Sequence, residues 1–272
     1  MRLRHRPSSL GFHKPRHGEE LIHFEHLTKS FGPKRVYDDL ELNELAGETL
    51  VVIGGSGSGK SVLLKCLIGL LRPDTGRIQF QGHELTTFSE EKFLEVRRHV
   101  AMVFQGSALF DSLSVGENVA YPLREHFPEL SSEERARRVA EKLALVNLPG
   151  IEEMKPADLS GGMKKRVGLA RAIATDPEVI LWDEPTTGLD PVTTQSINAM
   201  INSMKTKLGC TSIVVTHDMV SAFAVADRIA MLANRRIVQV GTPEEMRRST
   251  VPEVRAFLDA RRAELELREG VR

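Results

Sequence analysis

The chain has 272 residues, 41% of them hydrophobic and 27% charged, which is enough apolar content for a substantial core and argues against disorder throughout. Lys plus Arg and Asp plus Glu both number 37, so the overall charge gives no reason to expect nucleic acid or another polyanion as a partner. The longest apolar stretch, residues 63–71, is broken by Lys65 and Cys66 and falls far short of a membrane span. The two cysteines, Cys66 and Cys210, have neither metal nor redox spacing, so the simplest reading is a cytosolic protein that meets a membrane only through a partner.

Residues 1–18 carry Arg2, Arg4, Arg6, Lys14 and Arg16 and no acid. With no apolar stretch this is not a secretory signal. It reads as a disordered basic tail, the alternative being attraction to an anionic membrane surface. Residues 21–27 partly alternate and read as a strand, residues 28–32 as a turn holding Phe31, and residues 40–45 as a second half-buried strand. Phe31 has two readings at this point: plain core, or a flat apolar face for a nucleobase. The apolar run 50–53 is then followed by Gly54, Gly55, Ser56, Gly57, Ser58, Gly59, Lys60 and Ser61, and by a helical pattern over residues 62–71.

This strand, glycine-rich turn and helix form a phosphate-binding pattern. Glycines let the backbone wrap a phosphate chain closely and point N–H groups inward, and the helix N-terminus adds its positive dipole end. In such a loop Lys60 reaches the β- and γ-phosphates and the Ser61 hydroxyl ligates Mg²⁺. Leu63, Leu64, Leu67, Ile68 and Leu71 cover most of the helix circumference, which marks it as buried.

Beyond it, residues 77–81 and 100–104 read as strands and residues 89–98 as a polar surface helix. Ser114 with Glu117, and Ser131 with Glu134, each have capping-box spacing, so helices are predicted to begin there. Residues 107–175 thus read as a helical insertion in an α/β frame. The α/β pattern returns with strands at 179–182, 213–215, 228–233 and 236–240 and helices at 191–207, 243–248 and 252–267. In the last helix Val254, Phe257, Leu258 and Leu265 form a broken stripe that suits packing on its own domain or docking on a partner.

Three buried strands end in polar residues: 50–53 in the phosphate loop, 179–182 in Asp183 and Glu184, and 213–215 in Thr216, His217 and Asp218. Ligands of parallel α/β sheets sit at the carboxyl ends of the strands, so one crevice is predicted. Phosphoryl transfer assigns the roles: Asp183 holds Mg²⁺ through water, Glu184 is general base for the attacking water, and His217 bonds the γ-phosphate and steadies Glu184. Gln105, also at a strand end, can touch Mg²⁺ or water. Ser160, Gly161, Gly162 and Met163 open a further helix. Two glycines in a first turn cost about 1 kcal/mol each relative to alanine, which a second phosphate-accepting helix N-terminus would explain.

With these residues in order, the sequence resembles the ATPase subunits of ABC transporters over about residues 21–241. The resemblance identifies residues 54–61 as Walker A, Gln105 as the Q-loop glutamine, residues 159–162 as the signature, residues 179–183 with Glu184 as Walker B, Gly188-Leu189-Asp190 as the D-loop, His217 as the switch histidine and Phe31 as an adenine-stacking aromatic. It implies an α/β P-loop NTPase (RecA-like) core with an N-terminal antiparallel β subdomain and an inserted α-helical subdomain. It implies ATP and Mg²⁺ as ligands, held by Phe31, by residues 54–61 with Val62, and by Ser160, Gly161, Gly162 and Asp190, with Ser61, Gln105 and Asp183 around the metal. It implies a head-to-tail homodimer with ATP between Walker A of one copy and the signature of the other. The dimer works on an integral-membrane permease at the cytoplasmic face of the inner membrane, with no nucleic acid partner. The expected domains are a basic tail at 1–20, an ATPase domain at 21–245 with its helical subdomain at 107–175, and a C-terminal helical extension at 246–272.

Within that family, Gly59-Lys60-Ser61-Val62-Leu63-Leu64-Lys65, the segments 104–110 and 118–126, and Met163 at the end of the signature look like Mla/Mce-type ATPases, which energise lipid transport between the membranes of bacterial envelopes or across plastid envelopes. That narrower resemblance implies a permease with an Mce-domain protein, and in some systems a small regulatory subunit. The competing expectation is the ATPase of a small-solute importer, for example of polar amino acids. A non-transport ATPase of repair or translation fits less well, because only one Walker A and one signature are present, separated by a compact insertion.

Overall fold

The computed structural model describes residues 10–13 and 15–269, with side chains to residue 260. In chain order its strands are β1 (Glu20–Phe31), β2 (Lys34–Leu45), β3 (Thr49–Ile53), β4 (Thr75–Phe80), β5 (His83–Glu84), β6 (Val100–Val103), β7 (Val179–Asp183), β8 (Thr211–Thr216), β9 (Arg228–Ala233) and β10 (Arg236–Gly241). Its α-helices are α1 (Lys60–Leu67), α2 (Glu90–His99), α3 (Val115–His126), α4 (Ser132–Leu145), α5 (Gly161–Ala172), α6 (Pro191–Ser203), α7 (Met219–Val225), α8 (Pro243–Arg247) and α9 (Pro252–Glu269). The described residues form two compact units, one of residues 15–93 and 213–269, the other of residues 10–13 and 94–212.

The first unit holds an antiparallel sheet in the order β2-β1-β4-β5 and the strands β10-β9-β3-β8, the last contributing its residues 213–216. In the antiparallel sheet, Ile22, Phe24, Leu27, Tyr37, Leu40 and Phe80 are completely buried. The residues expected to turn at 28–32 instead continue β1 to Phe31. Register shifts between Phe24 and Leu27, with His26 at φ 50°, break the alternation that would have marked a longer strand. Asp39, at φ 63°, does the same in β2, which begins at Lys34 rather than Leu40.

β3 is buried at all its positions and pairs in parallel with β9, Ile53 opposite Met231. Where this pair starts, the Thr49 N–H donates to Asp227 at 2.7 Å and Arg228 bonds Glu48 at 2.7 Å. Burial pushes the nearby Glu44 carboxyl well above the usual range, and the charge of Glu48 adds to the effect. The helix after the loop stops at Leu67, short of the expected Leu71, because Gly69 takes φ 73° against the Phe93 ring. α7 was not predicted; it spans too few residues to show a helical period. Val254 of α9 is completely buried and Asn234 donates to Glu253, so the start of that helix packs on its own unit; the Leu265 side chain lies outside the described residues.

In the second unit β6 and β7 pair in parallel, and α3, α4 and α5 pack on one another. The capping box at Ser114 and Glu117 is complete. At Ser131 only the serine half forms with Glu134, and it is Glu133 whose carboxylate returns to Ser131. Buried Asn118 holds the segment before α3, its side chain bonding the Phe110 N–H and the Phe110, Leu113 and Ser114 carbonyls. Lys142 and Arg138 of α4 pair with buried Asp176. α6 extends through a π-helical turn, Met204–Leu208. Part of the expected disordered tail is packed: Phe12 is buried with its ring edge-on to His99, 5.1 Å away, and the Gly18 N–H donates to Ala46. Residues 1–9 and 14 of that tail lie outside the described residues.

Candidate nucleotide-binding and hydrolysis site

The first unit contains the phosphate loop. β3 delivers the chain to Gly54, where a Cβ would stand 2.5 Å from the Leu232 carbonyl oxygen of the neighbouring strand. Gly57 and Gly59 take φ 73° and 110°, and a Cβ on Gly59 would meet Val36 Cγ1 at 2.4 Å. The Tyr37 hydroxyl donates to the Gly59 carbonyl at 2.5 Å, and burial pushes its pKa up, so it remains a donor. The loop is thus shaped by crowding from its own unit.

Lys60, 6% exposed, is folded over the loop and donates to the Gly54 and Gly55 carbonyls at 3.0 and 3.2 Å. That posture holds a cation against the backbone of the loop, an arrangement that suits a polyphosphate. Ser61 and Val62 follow in the first turn of α1. Lys34, which sequence reasoning passed over, brings its Nζ to 3.9 Å from where a Gly57 side chain would begin. Opposite Lys34 in the β1–β2 pairing is Phe31, 45% exposed with the Lys29 ammonium 5.3 Å from its ring centre. That exposure removes the plain-core alternative. His217 is half-buried where β8 ends, between Thr216 and the Asp218 that caps α7.

The second unit contains the acidic end. β7 is buried throughout and leads to Asp183 and Glu184, 7% and 9% exposed. Glu184 takes φ 49°, unusual for a residue with a side chain, and its Oε2 accepts from Thr187 Oγ1 at 3.1 Å. Val103 pairs with Trp182, so Gln105 and Glu184, each two residues further on, leave adjacent parallel strands at the same end. Asp190 caps α6, its Oδ1 accepting from the Val192 and Thr193 N–H groups at 3.0 Å each. The Thr193 hydroxyl that bonds its other oxygen holds the Asp190 carboxyl below the usual carboxylate range.

Ser160 caps α5 through the Met163 N–H at 3.3 Å. The two glycines that follow differ. A Cβ on Gly162 would stand 2.8 Å from Thr193 Cγ2, whereas nothing lies within 4 Å of one on Gly161. Gly162 therefore has a packing reason to lack a side chain and Gly161 has none. Sequence reasoning also passed over Lys165, whose ammonium donates to the Pro185 and Thr187 carbonyls at 2.9 and 2.8 Å.

The loop of the first unit fits the phosphates of a nucleotide, and the second unit carries carboxylates of the kind Mg²⁺ takes. A glycine loop with no room for side chains at Gly54 and Gly59 and a buried lysine suit the phosphates. No cluster of three or more His, Cys, Asp or Glu side chains able to hold a metal occurs among the described residues. A hard Mg²⁺ that relies on a hydroxyl, a carboxylate and the phosphates themselves needs no such cluster.

A family model described as ABC transporter matches residues 37–187. Over 236 residues the chain is 45% identical to the probable ribonucleotide transport ATP-binding protein mkl of Mycobacterium tuberculosis (strain ATCC 25618 / H37Rv), an alignment covering 87% of this chain and 66% of that one. It is 40% identical over 239 residues to the methionine import ATP-binding protein MetN of Brucella abortus (strain 2308), covering 88% and 64%. The chain thus spans just under two thirds of the length of these curated relatives. Among solved structures, the dimeric ATP-binding cassette MJ0796, in a post-hydrolysis state bound to ADP and Pi, superposes with a TM-score of 0.76 at 31% identity, covering 82% of this chain and 99% of that one. The cbiO1 protein of Clostridium perfringens, part of the transporter complex cbiONQ, gives 0.77 at 27% identity, covering 89% and 99%.

Proposed function

The chain belongs to the ABC transporter family, and we propose that it is the subunit that binds and hydrolyses ATP to drive a partner permease. Residues 54–61 and Val62 grip the triphosphate, Phe31 stacks on the adenine, and Ser61, Gln105 and Asp183 would hold Mg²⁺. When bound by these residues, Mg²⁺ would supply positive charge to the phosphate oxygens. Two copies meet head to tail; MJ0796, to which this chain is similar, is dimeric. Ser160, Gly161 and Gly162 of one copy then close on the γ-phosphate held by the other, and Asp190 lines the same junction. Glu184 takes a proton from a water whose oxygen attacks the γ-phosphorus. The bond to the β–γ bridging oxygen breaks, leaving ADP and phosphate, and His217 steadies the phosphate and the carboxylate.

The observation that carries this reading is the posture of Glu184, a nearly buried carboxylate at a left-handed φ, tethered by Thr187 directly after a buried strand. Glu184→Gln keeps the shape and removes the base. The variant is expected to bind ATP, to hydrolyse it at under about 1% of the normal rate, and to accumulate as an ATP-bound dimer in size-exclusion chromatography. Near-normal turnover would remove Glu184 from the role.

For the cargo, the likeness of residues 59–65, 104–110 and 118–126 and of Met163 to Mla/Mce-type ATPases supports a phospholipid, moved through a permease with an Mce-domain protein and in some systems a small regulatory subunit. The ATPase would then be peripheral, on the cytoplasmic face of the inner membrane. No helix among the described residues is long and apolar enough to cross a membrane. In this reading attachment runs through the permease. The second reading, a small-solute importer, is favoured by the relatives named for methionine import and ribonucleotide transport. Purification of the tagged chain from native membranes in mild detergent separates them. A permease with an Mce-domain partner and bound phospholipid supports the first, and a permease with a solute-binding protein and no enriched lipid supports the second.

A further inference from the structure

Lys165 lies four residues after Gly161 and three after Gly162, on the face of α5 that their exposed turn begins. Its Nζ donates to the carbonyls of Pro185 and Thr187, the residues on either side of Thr186 in the loop that opens with Glu184. The same Thr187 sends its hydroxyl to Glu184 Oε2, and its N–H to the Glu184 carbonyl at 3.3 Å. One ammonium thus ties the first turns of α5 to a loop whose starting residue has a backbone conformation that needs holding. Lys165 is half-buried, and the charge of Glu184 supports its ammonium against the burial that lowers its pKa. A second contact joins the same helix start to the next element, Gly162 against Thr193, whose hydroxyl bonds Asp190.

We infer that Lys165 is a positioning residue for hydrolysis: by gripping the Pro185 and Thr187 carbonyls it makes the placement of Glu184 depend on the placement of α5. This rests on the reading above, in which Glu184 is the base for the ATP of its own copy and Ser160, Gly161 and Gly162 receive the phosphate held by the other. Under it, seating of a phosphate at the start of α5 is relayed through Lys165 to the carboxylate that serves the opposite ATP. The two sites of a dimer are thereby linked inside each chain, over a path of one side chain and three residues of loop.

The test uses the full chain and five variants: Lys165→Met, Lys165→Arg, Thr187→Val, Glu184→Gln and Glu184→Gln with Lys165→Met. Methionine keeps the length and helix propensity of lysine and removes every donor. Lys165→Met is expected to lower kcat by about tenfold to a hundredfold, the scale of a roughly 1 Å misplacement, with KM for ATP within about threefold of normal and the melting temperature little changed. Arginine, which restores charge and donors, recovers a substantial part of kcat. Thr187→Val, which cuts the tether without touching α5, gives the same selective loss in kcat. The double variant is no slower than Glu184→Gln alone, because both changes disable one unit.

A normal kcat in Lys165→Met overturns the inference. So does a loss carried by KM, or a further loss in the double variant. Should Lys165→Met melt early, the Thr187→Val result decides in its place. Fast turnover in Glu184→Gln means that the base itself was misassigned. A dead Glu184→Gln beside an active Lys165→Met removes the relay alone.

Discussion

The loop at residues 54–61 and the loop at residues 184–190 each follow a strand buried along its whole length, but they are fixed by opposite means. The first is shaped by exclusion. Gly54 and Gly59 press so closely on Leu232, Val36 and Tyr37 that no side chain fits, and the backbone has one course open to it. The second is shaped by attachment. Glu184 stands in a left-handed conformation, and Thr187, Lys165 and Asp190 supply the hydrogen bonds that keep its loop folded. Under the proposed function, the first must accept a large anion without adjusting, which suits the rigid form. The base of the second need be in place only when a partner copy arrives, which suits the form whose fastenings can be pulled.

The comparison breaks most visibly at Gly59. Gly59→Ala sets a side chain at φ 110° with its Cβ 2.4 Å from Val36 Cγ1. The strained backbone costs about 1–3 kcal/mol and the overpacking about as much again. The expected result is a lower melting temperature together with a loss of more than about 100-fold in ATP affinity by fluorescent-nucleotide titration, since about 1.4 kcal/mol is tenfold. Unchanged affinity would mean that the loop is not held by exclusion.

Gly161 and Gly162 bring the contrast within two adjacent residues. Gly161→Ala meets no atom, so the helix should gain about 0.5–1 kcal/mol of stability, while the ATP-dependent dimer weakens if phosphate approaches the backbone there. Gly162→Ala drives into the Thr193 methyl and should lower both the melting temperature and the ATPase rate. Adding Thr193→Ser, which deletes that methyl, should return the melting temperature. A Gly161→Ala protein that is both more stable and fully active would take Gly161 out of the ligand site.

The same contrast explains what was legible in the sequence. Exclusion writes itself as glycine at fixed spacing after an apolar run, so the candidate phosphate loop and the strand before it could be read from residues 50–61, while the α/β fold class needed the strands spread along the rest of the chain. The acidic end was legible as far as Asp183 and Glu184, because polar residues closing a buried strand are visible in one dimension. The fastenings were not. Lys165 lies 20 residues from Pro185 in the chain, and Lys34 reaches Gly57 only because β1 and β2 form a hairpin. Bulges at His26 and Asp39 hid half of that hairpin by interrupting its alternation, which is also why Phe31 looked like part of a turn.

The smallest expected effect falls on Phe31. At 45% exposure its ring leaves little core behind when removed, so Phe31→Ala should melt with the parent protein. Stacking of an aromatic ring on a base is worth roughly 1–3 kcal/mol, and the lower end suits a ring at a hairpin tip, giving a rise of about 5- to 10-fold in the Kd for ATP with kcat at saturation unchanged. The phosphate loop should not notice. Inorganic tripolyphosphate, which has no base, should compete with ATP analogues at the same concentration in parent and variant. Equal weakening of tripolyphosphate would mean that Phe31 shapes the loop through Lys34, its partner across the hairpin, rather than meeting the adenine, and the exclusion that fixes residues 54–61 would then extend to the tip of β1.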